Sequence, residues 1–71
     1  MMHYEELANI IRDRREVLKI TQEHLAELSG IGLRTIKSIE TGNGNPTLDT
    51  IMKIIEILGL EINISVKKID I

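Results

Sequence analysis

The chain has no cysteine, no tryptophan and no phenylalanine, and only one tyrosine, one proline and two histidines in 71 residues. Without cysteine, no disulfide can staple a domain near the lower size limit for a self-sufficient core, and no thiolate can hold a structural metal. The two histidines, His3 and His24, are far apart in sequence and give zinc no ligand set. No metal and no cofactor is therefore expected. Nearly free of aromatics, the core must be aliphatic. No apolar run is long enough to cross a bilayer, and no basic segment followed by an apolar stretch opens the chain. The expectation is a soluble, cytoplasmic protein of one domain that does not engage a membrane. An excess of positive charge is also missing: 9 Lys and Arg against 11 Asp and Glu leave a net charge of −2.

Modules that bind nucleic acid are mostly basic overall, so here the distribution of charge matters more than its sum. Arg12, Arg14, Arg15, Lys19, Arg34 and Lys37 all lie in the first 40 residues. Glu40, Asp49, Glu56 and Glu61 follow, with only Lys53 among them. Most of the basic residues thus fall in the first 40, among acidic ones, and such a clustering of cations suits a DNA-facing side and a separate protein-facing side. Ordinary solvated helix faces would give the same counts.

The spacing of apolar residues predicts helices. Leu7, Ile10, Ile11 and Leu18 share one side of a 3.6-residue period, giving a first helix from His3 or Tyr4 to about Lys19. Thr21 is placed as an N-cap before a second helix whose Leu25, Ala26 and Leu28 face inward. Gly30 interrupts the pattern and accepts a positive φ. A third helix carries Leu33, Ile36 and Ile39, at least two of which share an inner face. The segment Gly42-Asn43-Gly44-Asn45-Pro46 is the strongest turn signal. Thr47 then caps a fourth helix with Leu48, Ile51, Met52, Ile54, Ile55 and Leu58 on a broad apolar face, ended by Gly59.

The period then changes. Leu60, Ile62, Ile64 and Val66 alternate with Glu61, Asn63 and Ser65, which predicts a strand. A lone strand leaves its backbone groups unpaired. The expected remedy is pairing with the same strand of a second copy, with Ile62, Ile64 and Val66 as dimerisation residues; the alternative is a frayed apolar tail. Ile69 and Ile71 fall on the opposite parity. The organisation expected is a domain over 1–59 and a dimerisation strand and tail over 60–71.

The stretch 21–40 is central to function. Two short helices joined by a tight turn, with Arg34, Thr35, Lys37 and Ser38 between the apolar positions, suit a helix that enters the major groove. The same pattern occurs in bundles that never meet nucleic acid, and spacing alone leaves both readings open.

A resemblance separates them. Arg15, Ile20-Thr21-Gln22-Glu23-His24-Leu25-Ala26, Ser29-Gly30-Ile31, Thr35-Ile36, Ile39-Glu40-Thr41-Gly42, Asn45-Pro46-Thr47-Leu48 and Leu58-Gly59-Leu60 together resemble the Xre/Cro family of helix-turn-helix repressors, over roughly Ile11 to Leu60. The added strand is similar to the small HipB-like antitoxin branch. The resemblance implies a mainly all-α, four-to-five-helix, lambda-repressor-like bundle with a C-terminal β-strand that pairs across a homodimer. It implies a sequence-specific repressor that binds an operator inverted repeat in double-stranded DNA, and an antitoxin with a cognate toxin protein as partner. Position by position, it implies base-facing roles for Leu33, Arg34 and Ser38. It gives phosphate roles to Gln22, Thr35, Lys37, Asn43 and Asn45, and an ion pair of scaffold character to Arg15 and Glu40. Gly32 stands where the recognition helix of the family usually has a Ser or Thr cap, and Leu33 where many relatives carry a polar base reader.

An alternative is a protein-interaction module with weak DNA affinity, which the net negative charge, Gly32 and Leu33 favour. Salt separates the two, because a dimer making roughly six to ten phosphate contacts loses about 10³–10⁵ in affinity between about 50 and 200 mM salt. No enzyme is expected. Asp13 and Glu16 lie three apart without a nucleophile or base partner, and Gly42 and Gly44 mark a turn, since no Gly-rich lysine motif follows them.

Overall fold

The computed structural model describes residues 4–67. Helix α1 runs Tyr4–Val17, with Glu5 and Glu6 in its first turn and Arg14 and Arg15 in its last, a polarity that complements the helix dipole. It stops two residues short of Lys19. Lys19 takes a left-handed φ of +57°, and its N–H donates to the Glu16 carbonyl while that of Ile20 donates to Arg15. Helix α2, Gln22–Ser29, begins at Thr21, whose hydroxyl accepts the His24 N–H, and ends at left-handed Gly30. Helix α3, Leu33–Glu40, starts at Gly32 with no side-chain cap. Helix α4, Leu48–Leu58, starts at Thr47, whose hydroxyl accepts the Thr50 N–H, and ends at left-handed Gly59.

The helices close on an aliphatic core. Ile11, Leu25, Ile36, Ile54 and Leu58 are fully buried, with Ala8, Ile39, Ile51 and Ile55 around them. Helices α1 and α2 each pack on both α3 and α4, so α3 is held from two sides along one face. Leu7, Ile20, Ala26, Ile31, Ile57 and Leu60 pack partly buried against this centre. Burying a Leu or Ile side chain stabilises by about 1.5–3 kcal/mol, and these contacts hold a chain of this size together without a staple.

Several residues expected inside lie at the rim. Ile10, Leu18, Leu28, Leu48 and Met52 are all exposed. A 3.6-residue period marks an apolar arc, but only the part of the arc with a neighbouring helix over it is covered. On α4 the covered part is Ile51, Ile54, Ile55 and Leu58. Leu48 and Met52 are left on its flank.

The expected C-terminal strand is not there. Among the described residues the architecture is four α-helices with no β-strand. Residues 60–67 carry no regular structure, and Ile64 and Val66 are 91% and 96% exposed. Alternation of apolar and polar residues gives a strand only when a second extended segment supplies the hydrogen-bond ladder, and no other described segment is extended beside it. The reading of 60–71 as a strand that pairs across a dimer is therefore corrected for 60–67. Ile69 and Ile71 lie outside the described residues, as does His3.

Candidate nucleic-acid interface

Helix α3 is divided lengthwise. Ile36, Ile39 and Glu40 point into the protein and are buried, whereas Arg34, Thr35 and Lys37 are exposed. Leu33, at its first turn, is half-buried. Arg34 and Lys37 stand three residues apart, on neighbouring turns of one face. Neither joins any of the ion pairs among the described residues.

The presentation of this helix is fixed from behind. Glu40 is 4% exposed and is the one buried charged residue among those described. Arg15 meets it bidentately, Nε donating to Oε2 at 2.7 Å and Nη2 to Oε1 at 2.9 Å. The third guanidinium nitrogen, Nη1, donates to the Ile20 carbonyl at 2.9 Å. The hydrogen bond to Glu40 holds the Arg15 guanidinium above its ordinary pKa; burial opposes this, and the charges of Glu40, Glu16 and Glu23 reinforce it. A bidentate fork sets orientation as well as distance, so the end of α1, the α1–α2 corner and the end of α3 are locked together.

Two residues given DNA roles by resemblance are engaged elsewhere. The Gln22 amide donates to Glu40 Oε1 at 3.2 Å. With one of its two amide hydrogens used in this way, the side chain is held toward the scaffold and keeps one hydrogen for a phosphate. The Ser38 hydroxyl donates to the Asn43 carbonyl at 3.2 Å. Gly44 sits directly over it, and a Cβ there would stand 2.6 Å from Ser38 Oγ. Ser38 thus closes the loop behind α3 and keeps only acceptor capacity for a base.

That loop is ordered by its own bonds. The Asn43 N–H donates to the Ser38 carbonyl, the Thr41 hydroxyl donates to the same carbonyl, and the Asn43 amide donates to Thr41 Oγ1. The Tyr4 hydroxyl donates to Asn45 Oδ1, which leaves the Asn45 amide hydrogens outward. Asn43 and Asn45 are both exposed on the α3 side of Pro46. The structure thus gathers Arg34, Thr35, Lys37 and the loop asparagines around one helix, with Gln22 and Ser38 turned to the scaffold. Ile62, Ile64 and Val66 lie apart, in the segment after α4.

Sequence reasoning missed the clamping role of α1. Arg12 donates to the Glu40 carbonyl at 3.3 Å and to Asn9, and Arg14 donates to the Leu58 carbonyl at 2.7 Å. No local signal marks a pair 44 positions apart. Between α1 and α4, Tyr4, Leu7, Ile10, Leu48, Ile51 and Ile62 line an apolar groove of about 410 Å³. Among the described residues no group of three or more acidic, His or Cys side chains could hold a metal, and no helix is long and apolar enough to cross a membrane.

Comparison with known proteins agrees with this geometry. A family model described as helix-turn-helix matches residues 11–64. An uncharacterized HTH-type transcriptional regulator of Methanothermobacter thermautotrophicus is 38% identical over 55 residues, which cover 78% of this chain and 80% of that protein. Control protein C.SmaI of Serratia marcescens is 38% identical over 65 residues, covering 92% of this chain and 73% of that protein.

Proposed function

Because this chain belongs to the helix-turn-helix family, with the fold of Xre/Cro-type transcriptional regulators, we propose that it represses transcription by laying α3 in the major groove of an operator. The observation that carries this reading is the lengthwise division of α3: its inner face is locked by core and ion pair, and its outer face offers Arg34, Thr35 and Lys37 to solvent. Arg34 is suited to bidentate contact with guanine, and Leu33 to packing on a thymine methyl. Thr35, Lys37 and the loop residues Asn43 and Asn45 are assigned to the phosphate backbone, whose contacts set register and not sequence. Ser38 reads a base only as an acceptor. Gln22 meets phosphate through its backbone N–H and the second hydrogen of its amide, the first staying on Glu40.

We further propose a homodimer that reads an inverted repeat, since one short helix spans only a few base pairs. The apolar side chains left in solvent at Ile62, Ile64 and Val66 support self-association, because burying them removes apolar surface from water. In the same reading the protein is the antitoxin of a type II pair that represses its own operon and binds a cognate toxin in the cytoplasm; what supports this is the likeness of the alternating sequence of residues 60–66 to that branch, without the strand. The second reading, a protein-interaction module with weak DNA affinity, is favoured by the apolar groove beside α4 and by the net charge of −2.

Titration of the purified protein against its own upstream region, at several salt concentrations and with the oligomeric state recorded, tests the proposal. Lys37 from two protomers gives an expected slope of log affinity on log salt of at least about 1.8 in magnitude, negative in sign. Two-fold binding to an inverted repeat with such a slope supports the repressor. Binding no tighter than to random duplex, by a protein that is still a dimer, overturns it in favour of the interaction module.

A further inference from the structure

Three helix ends in this protein are closed by the same pair of backbone hydrogen bonds. At α1 the N–H groups of Lys19 and Ile20 donate to Glu16 and Arg15; at α3 those of Gly42 and Asn43 donate to Ile39 and Ser38; at α4 those of Gly59 and Leu60 donate to Glu56 and Ile55. The residue that turns left-handed is glycine at α3 and α4 and lysine at α1. Lys19 is the one described non-glycine residue with a positive φ. A Cβ in that conformation crowds the following carbonyl, a strain that glycine lacks. The conformation therefore favours glycine, and what lysine brings to this corner is its charge, which suits the negative end of the α1 dipole and is also open to a ligand.

That side chain is exposed and joins none of the ion pairs among the described residues. The other cations of this helix end are all committed: Arg12 to the Glu40 carbonyl, Arg14 to the Leu58 carbonyl and Arg15 to the Glu40 carboxylate. Its location is fixed by those same bonds. Arg15 joins the Ile20 carbonyl, next to Lys19, to Glu40 at the end of α3. Gln22, three residues beyond Lys19, also reaches Glu40. Lys19 thus stands where the end of α1, the start of α2 and the end of α3 meet, and Lys37 is one helical turn before Glu40.

We infer that Lys19 is a DNA phosphate contact, a third cation beside Arg34 and Lys37, kept at a strained corner for its charge. This rests on the DNA-binding reading proposed above and adds to it a residue that neither the helix-turn-helix stretch nor the resemblance assigned. Phosphate neutralisation is sequence-independent, so its loss weakens operator and random duplex alike.

The test compares the wild-type protein with Lys19→Gly, Lys19→Gln and Arg34→Ala, by thermal unfolding and by salt-dependent titration of operator and random duplex. Lys19→Gly is expected to melt higher, by on the order of 5 °C, and yet to bind DNA more weakly, with the salt slope reduced by about 0.9 per protomer. Lys19→Gln, which keeps the strain and loses the charge, is expected to show the same reduced slope without the gain in melting temperature. Wild-type slopes in both Lys19 variants, with Arg34→Ala impaired, overturn the phosphate role and leave the repressor reading standing. Absence of salt-sensitive DNA binding in the wild-type protein overturns both.

Discussion

Two clusters of positive charge, close in composition, end in opposite situations. Arg12, Arg14 and Arg15 on α1 are turned into the scaffold, each bonded to the end of another helix. Arg34 and Lys37 on α3 remain in solvent. The difference follows from what lies beside each cluster. The last carbonyls of α3 and α4 have no partner within their own helix and carry the negative end of its dipole. The last two turns of α1 pass both of these ends and satisfy them with guanidinium groups. Helix α3 passes no such acceptor on its outer face. A sequence whose cations lie mostly in its first 40 residues therefore offers fewer of them to a ligand than their count suggests, and the cations left to solvent cannot be told from those that serve the fold by residue type.

The comparison can be broken at its strongest point by Glu40→Ala. Removing one partner from a buried ion pair leaves Arg15 and Gln22 without their acceptor and costs about 3–5 kcal/mol, whereas Glu23→Ala, at an exposed position, shifts stability by no more than about 0.5 kcal/mol. Chemical denaturation checks this, and equal midpoints for the two variants would overturn the scaffold role of the pair. Arg14→Ala set against Arg34→Ala sharpens the contrast between the clusters. Loss of the Arg14 bond to the Leu58 carbonyl should cost about 1.5–3 kcal/mol of stability, and loss of Arg34 should leave the unfolding midpoint in place while weakening operator binding by about 1–3 kcal/mol. Matching effects on stability would erase the distinction. The smallest effect is expected from Gly32→Ser, which gives α3 the side-chain cap it lacks and raises stability by a few tenths of a kcal/mol, about what glycine concedes to serine at this position. A fall in the denaturation midpoint would count against an open N-terminus at α3.

Local chemistry made much of the fold legible. Thr21 and Thr47 cap the helices they precede, Gly30 and Gly59 end theirs, and the turn signal of residues 42–46 separates α3 from α4. Each is a short-range effect carried by a residue and its neighbours. What the sequence could not show depends on distant partners. Leu28 and Met52 sit on apolar arcs that the bundle leaves uncovered. The alternation over residues 60–66 has no extended neighbour to pair with. The resemblance gives Gln22 and Ser38 contacts with DNA, yet an acceptor 18 residues away claims an amide hydrogen of the first and a loop five residues on claims the hydroxyl of the second. The left-handed turn at Lys19 was not signalled, although the first helix was expected to end about there, because a left-handed helix end is ordinarily announced by glycine.

The lengthwise split of α3 separates heritable specificity from foldability. Positions 34, 35 and 37 contribute nothing to the buried centre, while 36, 39 and 40 contribute nothing to the outer surface. In the repressor reading proposed above, operator preference can therefore drift, or be rewritten by design, at Arg34, and overall affinity at Thr35 and Lys37, without eroding the stability on which the rest of the chain depends. Two copies of this gene that diverged only at those codons would keep one scaffold and differ in what they bind and how tightly.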